Sequence, residues 1–566
     1  MRLFENLASF KPRLIDSVKT YRLDDFWNDL AAGITVGLIA LPLAIAFAIA
    51  SGVKPEAGLI SAVIGGFIIS ALGGSKVQIG GPAGAFVVVL YAILERYGFA
   101  NLAIATCLAG VLLFLMGLFR IGGLIRFIPV SIILGFTSGI GLLICLSQVK
   151  DALGLQIEKM PADFFSQLHA LFLAAKTFNT INFLFFAGTV LFLIFWPRTT
   201  KFLARVTNFS RLELIPSIVL ILVIATAITK YAGVDIATIG SRFGGIPNSL
   251  PPMQLPKFDW ETAKLLFTPT ITLALLGAIE SLLCARVADS MADDRHDSNQ
   301  ELMAQGLANF FTPLFGGLAV TGTIARTATN IKAGAKTPIA GIIHSATVLL
   351  VMLLAAPLAA FIPMATLAGI LMFIGWNMIE WNEFKRLKHF KLPYRTVFLG
   401  TFFLTVIFDL TIAVEVGLFL ACGFFIFRIS NVTQIKEIEL PSTSKLINNA
   451  DTHKDIEAYE IFGSLFFGSI HHLEKLFDPL NQTKHIPKII ILELHQLISM
   501  DTSGLDALTQ LHLNLQKKHA SLVICNVNSQ VLSLMTRSGF IDQIGVANCC
   551  PDIESAYDRA QSLLTV

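Results

Sequence analysis

Gly80-Gly81-Pro82-Ala83-Gly84-Ala85-Phe86 and Thr321-Gly322-Thr323-Ile324-Ala325-Arg326-Thr327 decide how this chain folds. Each stretch lies in a membrane-type hydrophobic region and runs into a short helix of apolar or small residues. The two fall at corresponding places in the two halves of the hydrophobic part. A glycine-interrupted pair of this kind points to two discontinuous helices that meet at a midplane binding site. The first turn of a helix carries unpaired N–H groups and the positive end of the helix dipole. Two such starts facing each other make a site for a small anion.

The rest of the sequence agrees with a membrane setting. Of 566 residues, 54% are hydrophobic and 14% are charged, whereas a soluble chain carries about 25% charged residues. The mean hydropathy of +0.70 points the same way. A helix needs about 20 apolar residues to span, and runs of that kind recur from about residue 30 to residue 429. Clear spans are read at 29–50, 59–72, 102–118, 128–146, 183–196, 215–228, 268–287, 337–361, 367–381, 397–410 and 412–427. Shorter ones follow Pro82 and Thr323. From Asn431 the chain turns mixed polar. Strands at 463–468, 489–494 and 522–527, with helices at 503–517 and from 529, predict an α/β layer domain. The resulting division is an N-terminal arm at 1–27, a transmembrane domain at 28–430, a linker at 431–452 and a soluble domain at 453–566.

Basic residues set the orientation. They concentrate in the arm (Arg2, Lys11, Arg13, Lys19, Arg22), in Arg198, Lys201, Arg205 and Arg211, and in Lys385, Arg386, Lys388, Lys391 and Arg395. These segments are expected in the cytoplasm. The Pro- and Gly-rich connection 232–260 is poor in basic residues and suits the outside. The expectation is a multi-pass protein of the cell inner (plasma) membrane, with the N-terminus and the soluble domain cytoplasmic.

Several classes are set aside. The net charge of +3 is spread over loops, without the basic patch interleaved with aromatics that nucleic acid requires. The seven cysteines show no C-x-x-C spacing, so neither a disulfide framework nor a thiolate metal site is expected. Asp293, Asp294, His296 and Asp297 lack the Gly and spaced Glu of a calcium loop. The first ~27 residues lack the apolar core of a signal peptide. A catalytic triad, phosphate loop and metal cluster are all missing from the sequence. The chain reads as no enzyme, with no cofactor and no metal.

The site residues divide by chemistry. Pro82 lacks an N–H and has the fixed φ suited to a first helical position. Gly81 and Gly84 permit close approach of a ligand, Ala83 and Ala85 keep the start small, and Phe86 offers an apolar wall. The plainer alternative is tight packing of helices through small residues. In the second stretch Arg326 stands among Thr321, Thr323, Ile324, Ala325, Thr327 and Thr329. A charge at membrane depth costs roughly 2.5–3.5 kcal/mol on insertion scales and marks a functional candidate. The alternative is an Arg paired with a carboxylate or snorkelling to the interface, which Lys332 and Lys336 fit better. Glu280 lies mid-span in Leu275-Leu276-Gly277-Ala278-Ile279-Glu280-Ser281-Leu282-Leu283. Intramembrane carboxyls often serve proton relays, so Glu280 is the candidate for a coupling proton, with a permanent salt bridge to Arg326 as its alternative. In the soluble part, Asp501-Thr502-Ser503-Gly504 follows a strand and opens a helix. There Ser503 is read first as a helix cap and second as a possible regulatory phosphosite.

Taken together these residues resemble the SulP family of anion transporters, which includes sulfate permeases, bicarbonate carriers and dicarboxylate carriers. The resemblance rests on Gly73-Gly74-Ser75 with Gly81-Pro82-Ala83, on 277–283, and on Ala325-Arg326-Thr327-Ala328-Thr329-Asn330 with Gly334 through Pro338. The C-terminal part resembles a STAS domain, and Asp501-Thr502-Ser503-Gly504 matches the motif phosphorylated in anti-sigma-factor antagonists. The resemblance implies about 14 spans in two inverted repeats of seven, forming core and gate domains that move as an elevator. It also implies a homodimer and a substrate site between the starts at Pro82–Phe86 and Thr323–Arg326. Two departures stand out: Ala57 replaces a common Tyr, and Glu280 with Cys284 replaces the Asp and hydroxyl typical of sodium-coupled bicarbonate carriers. A proton is therefore expected as the coupling ion ahead of sodium. The reading is secondary active transport of a small anion, sulfate-like first, with bicarbonate or a C4-dicarboxylate next. The alternatives are a nucleobase permease-like carrier of the same fold and a sodium-coupled bicarbonate transporter.

Overall fold

The computed structural model describes residues 10–123, 129–157, 160–161, 163–207, 216–247, 249–256, 258–408, 410–438, 455–474 and 487–565. The chain divides into two compact units, Met1–Leu418 and Phe419–Val566.

The first unit is helical. Its main helices are α1 (Leu23–Ala50), α2 (Pro55–Leu72), α3 (Gly84–Leu118), α4 (Val130–Leu153), α5 (Thr180–Thr207), α6 (Ser217–Ala232) and α7 (Phe267–Ala292). They continue with α8 (Ser298–Phe311), α9 (Ile324–Lys332), α10 (Ile339–Ala359), α11 (Met364–Met378) and α12 (Leu392–Ile407), followed by α13 (Leu410–Val432), which runs in sequence from the first unit into the second. Among the described residues, eight helices are long and apolar enough to cross a membrane. Gly80–Gly81 (β1) and Thr321–Gly322 (β2) are short extended segments leading towards α3 and α9.

The halves exchange packing partners. α3 packs against α7 and α8, while α10 packs against α1 and α2. α4 and α11 cross at a glycine pair: a Cβ on Gly141 would lie 2.5 Å from the Gly375 carbonyl oxygen, and one on Gly375 2.8 Å from that of Gly141. Gly110 and Gly306 do the same where α3 crosses α8, at 2.6 Å each way. Lipid tails are as apolar as leucine, so membrane helices associate through close van der Waals contact, and small residues let the backbones close.

The short span read after Pro82 and the one at 102–118 follow each other directly in α3, with a break at Gly98, whose φ of 82° and ψ of 169° are not helical. One feature departs from the sequence reading: α8 was not read as a span. Its Glu301, Gln305 and Asn309 recur every four residues and lower its hydropathy, yet all three are buried.

Asp29, at the foot of α1, is 0% exposed. Its carboxylate accepts the N–H groups of Lys336 (2.7 Å) and Thr337 (3.1 Å), the Thr337 hydroxyl (2.6 Å) and the Tyr21 hydroxyl (3.2 Å). It ties the first span to the turn that follows α9.

The second unit carries a mostly parallel sheet. Its strands are β3 (Gln434–Glu437), β4 (Ile456–Leu465), β5 (Ile489–Glu493), β6 (Leu497–Met500), β7 (Ser521–Cys525) and β8 (Cys549–Cys550), in the order β3-β4-β5-β7-β8 with β6 also on β4. The range read as a linker, 431–452, thus holds an edge strand antiparallel to β4, and residues 439–452 lie outside the described part. The strand expected at 463–468 is placed earlier: the register shifts at Gly463/Ser464, and residues 466–468 form a bend and turn. β5 is apolar on both faces because both are covered. Ile490 and Leu492 meet Leu508, Leu511 and Leu515 of α14 (Thr502–Lys517), while Ile489 and Ile491 meet Ala556 and Ala560 of α16 (Ile553–Leu564), with α15 (Ser529–Arg537) between them in sequence.

Asp29→Ala strips the acceptor from two N–H groups, that of Thr337 buried, and from a buried hydroxyl. It is expected to lower stability by on the order of 3 kcal/mol, read as a drop of several degrees in the unfolding midpoint of the purified chain. Asp29→Asn keeps one acceptor and should lose less. An unchanged midpoint in Asp29→Ala would contradict the anchoring role.

Candidate anion-binding site

The site begins as a ladder. β1 pairs with β2 in antiparallel register, Gly80 with Gly322 and Gly81 with Thr321. The Ile79 carbonyl accepts the Thr323 N–H (2.9 Å) and hydroxyl (3.1 Å), and the Ile79 N–H donates to the Thr327 hydroxyl (3.0 Å). Backbone polar groups at membrane depth must be satisfied by protein, and here two interrupted segments satisfy each other. The chain leaves the ladder in opposite directions into α3 and α9.

Ala83 and Thr323 are the N-caps of those helices, and neither side chain caps. Among the described residues no hydrogen bond occupies the N–H groups of Gly84 and Ala85 or of Ile324, Ala325 and Arg326. The first bonds made are Phe86 N–H to the Ala83 carbonyl (3.1 Å) and Thr327 N–H to the Thr323 carbonyl (3.0 Å). Residues 81–86 are buried, whereas Ile324 and Ala325 are exposed. The Phe86 ring lies beside α7, where a Cβ on Gly277 would sit 3.5 Å from its Cζ.

Arg326 is 1% exposed. Its Nη2 donates to the Pro82 carbonyl at 3.1 Å, which brings a guanidinium of one helix start against the backbone entering the other. Nη1 is shielded from water and has no hydrogen-bond partner among the described residues. Gly81 makes the room: its φ is 153°, and an added Cβ would fall 2.3 Å from Nη1. Neither alternative raised for this arginine applies, since no described carboxylate pairs with it and it does not reach the surface. Glu280 is half-buried in α7 and makes no hydrogen bond or ion pair among the described residues. The two charges are near the same ladder yet not bridged to each other. Unpaired helix-start donors and a cation with a free donor are the requirements of an anion site.

A polar support behind the ladder went unread in the sequence. Gln78 Nε2 donates to the Ser281 hydroxyl (3.1 Å) and carbonyl (3.3 Å), and sits where a Cβ on Gly322 would be only 1.7 Å away. The Ser281 hydroxyl donates to Glu301 Oε1 (3.2 Å), which also accepts from Gln305 Nε2 (3.0 Å), while Oε2 accepts the Gly74 N–H (2.9 Å). Asn309 holds both the N–H (2.9 Å) and the carbonyl (2.8 Å) of Val320. The four-residue spacing of Glu301, Gln305 and Asn309 was the available signal, because it lines one helical face.

In the second unit the reading of Ser503 as a cap is corrected. Asp501 is the N-cap of α14 and accepts the Gly504 N–H at 2.8 Å. Ser503 lies inside the first turn, two residues past the cap, and is partly exposed.

With this geometry in hand, comparison with known proteins is decisive. Residues 26–399 match the sulfate permease family, and residues 449–556 match the STAS domain. The chain belongs to the sulfate permease family. It is 42% identical over 528 residues to the "Putative sulfate transporter YvdB" of Bacillus subtilis, covering 93% of this chain and 96% of that one. It is 31% identical over 459 residues to the bicarbonate transporter BicA of Picosynechococcus, covering 78% and 79%. Among solved structures, the transmembrane domain of a cyanobacterial BicA superposes with a TM-score of 0.61 at 32% identity, covering 71% of this chain and 99% of that one. Murine Slc26a9 superposes with a TM-score of 0.83 over 97% and 94% at 20% identity, a likeness of fold. The chain is thus a transmembrane anion transporter with a C-terminal STAS domain.

Gly81→Ala places a methyl group into the Arg326 guanidinium in a backbone conformation that L side chains rarely adopt. Anion uptake into proteoliposomes is expected to fall at least about tenfold, the effect of about 1.4 kcal/mol. Gly84→Ala, whose Cβ would meet only side-chain atoms at 3.2 Å or more, should be milder. Equal uptake by wild type and Gly81→Ala would contradict the placement of Arg326.

Proposed function

We propose that the chain is a secondary active carrier of a small oxyanion, sulfate first, with bicarbonate or a C4-dicarboxylate next, and that a proton moves with the substrate. The observation that carries this reading is the Arg326 guanidinium, buried against Pro82 with one donor unused, between two helix starts whose N–H groups are unoccupied. The N–H groups of Gly84, Ala85, Ile324, Ala325 and Arg326 bind the anion. Gly81 and Pro82 admit and orient the guanidinium. Ala83, Phe86 and Thr323 shape the walls. Family relatives named for sulfate and for bicarbonate transport support an oxyanion over a nucleobase.

Glu280 supports the proton. It lies on α7, the helix that also supplies Gly277, Ser281 and Cys284 to the ladder's surroundings, and it is committed to no partner among the described residues. A proton on that carboxyl offsets part of the substrate's charge during passage. The second reading is sodium-coupled bicarbonate transport, which the likeness to BicA favours. Cys284 weighs against it, because a thiol is a poor ligand for a hard cation.

The wider architecture belongs to the same proposal. Two inverted repeats of seven spans, supported by the reciprocal packing of the halves, form a core that carries the ladder and a gate past which it moves as an elevator. The chain works as a homodimer in the plasma membrane, with its N-terminus and STAS domain cytoplasmic and Ser503 as a regulatory phosphosite.

The test is radiolabelled uptake into proteoliposomes, with sulfate, bicarbonate, succinate and chloride as competitors. An inward proton gradient should accelerate sulfate uptake by wild type, and Glu280→Gln should abolish that dependence. Uptake by Glu280→Gln that follows pH as wild type does would remove the coupling role. Uptake driven by a sodium gradient alone, blocked by bicarbonate and indifferent to sulfate, would establish the second reading.

A further inference from the structure

A cavity of about 600 Å³ opens where the N-terminal arm docks, and it shares no residue with the anion site. Separate segments build it. Lys11 and Arg13 come from the arm, Arg120 from the end of α3, and Arg295 and His296 from the connection between α7 and α8. Backbone bonds hold these segments in place. The Arg13 N–H donates to the Gly73 carbonyl (3.0 Å), the Lys11 N–H to Gln300 Oε1 (2.9 Å), and the Gly122 N–H to Asn299 Oδ1 (3.1 Å).

The charges around the cavity do not cancel. Lys11 pairs with Asp16 at 2.9 Å, and Asp294 is shared between Arg13 (3.6 Å) and Lys76 (3.3 Å). The Asp297 carboxylate is taken up by the N–H groups of Asn299 (2.9 Å) and Gln300 (3.1 Å), and Asp289 by His296 (2.7 Å). The side chains of Arg120 and Arg295 have no carboxylate partner among the described residues. Arg13 Nε is shielded from water and has no hydrogen-bond partner among them. Arg13 Nη2 donates to the Arg295 carbonyl at 2.7 Å, which keeps the two arginines adjacent. A cluster of guanidinium groups with unused donors matches the oxygens of a phosphate better than it matches any carboxylate already present.

The position suits such a ligand. The cavity lies beyond the ends of α3 at Leu118 and α7 at Ala292, on the face the arm occupies. Basic pockets between membrane helices take phosphate headgroups. We infer that this cavity binds a phosphate group, carried by an anionic lipid headgroup or by a soluble phosphate compound. Its wall leads to the ladder: the Asp297 N–H donates to the Gly74 carbonyl (3.0 Å), and the Gly74 N–H donates to Glu301 (2.9 Å).

The test titrates the full chain with dioctanoyl phosphatidylglycerol, with inorganic phosphate and with dioctanoyl phosphatidylcholine as the neutral control, reading the unfolding midpoint. Wild type is compared with the double variant Arg120→Ala, Arg295→Ala. Phosphate that enters the anion site affects both proteins alike, so only the difference counts. The apparent affinity should fall at least about tenfold in the variant, since each lost charge-assisted hydrogen bond weakens binding by about that factor. A loss confined to phosphatidylglycerol assigns the site to a headgroup. A loss confined to inorganic phosphate assigns it to a soluble compound. A loss in both leaves the phosphate group itself as the ligand. Equal affinities of the two proteins for both probes would overturn the inference, as would an equal loss for phosphatidylcholine. Should the double variant fold poorly, Arg120→Lys with Arg295→Lys keeps the charge without the planar fork. It is expected to weaken binding partway, and unchanged binding of both probes there would also overturn the inference.

Discussion

A two-residue antiparallel ladder in the middle of a membrane protein is the constraint on which the rest depends. Irregular backbone is tolerated at membrane depth only where protein satisfies it. The pairing of Gly80–Gly81 with Thr321–Gly322 satisfies the interrupted segments and leaves the first turns of the following helices uncapped. The defect in each helix is therefore repaired on one side and left open on the other. On that open side the Arg326 guanidinium packs against the Pro82 carbonyl.

The arginine makes the pocket electrostatic rather than merely polar. A buried charge without a counter-ion is costly, and in this chain no described carboxylate neutralises Arg326. Its binding to a carbonyl dipole offsets part of that cost. The remaining donor, Nη1, has no partner among the described residues. α7 is the shared neighbour: the Gly277 carbonyl accepts the Thr321 hydroxyl at 3.2 Å, Ser281 meets Gln78, and Cys284 donates to the Thr327 hydroxyl at 3.2 Å. Behind it, the buried Glu301 joins α7, α8 and the turn at Gly74. A displacement of the ladder would have to move these elements together.

Much of this was legible in the sequence because its signals are local. The glycines beside Pro82 and the threonines around Arg326 mark helix starts by composition alone. The lone Glu280 within an apolar run marks itself. The soluble unit announced its strands by the run at 489–494 and its helix by the residues after Asp501. The signals that failed were those of long range or of mixed sign. Glu301, Gln305 and Asn309 form a stripe whose polarity hid a buried helix, and only their partners on α7 and at Gly74 show why burial is tolerated. Asp29 read as the polar edge of a span, yet it accepts bonds from residues more than 300 positions away. Ser503 lost the cap to Asp501 through a two-residue boundary difference that composition does not resolve. The room that Gly81 leaves for Arg326 depends on a contact between the two halves, which no single stretch reveals.

The central claim is that the anion sits between the starts of α3 and α9. The most direct measurement is the anomalous-scattering map of the protein crystallised with a transported anion that carries a heavy scatterer, such as selenate in place of sulfate. The account expects a peak within hydrogen-bond reach of the Ala85 and Ala325 N–H groups and of Arg326 Nη1. A peak elsewhere, with that space empty at concentrations that saturate uptake, would contradict it.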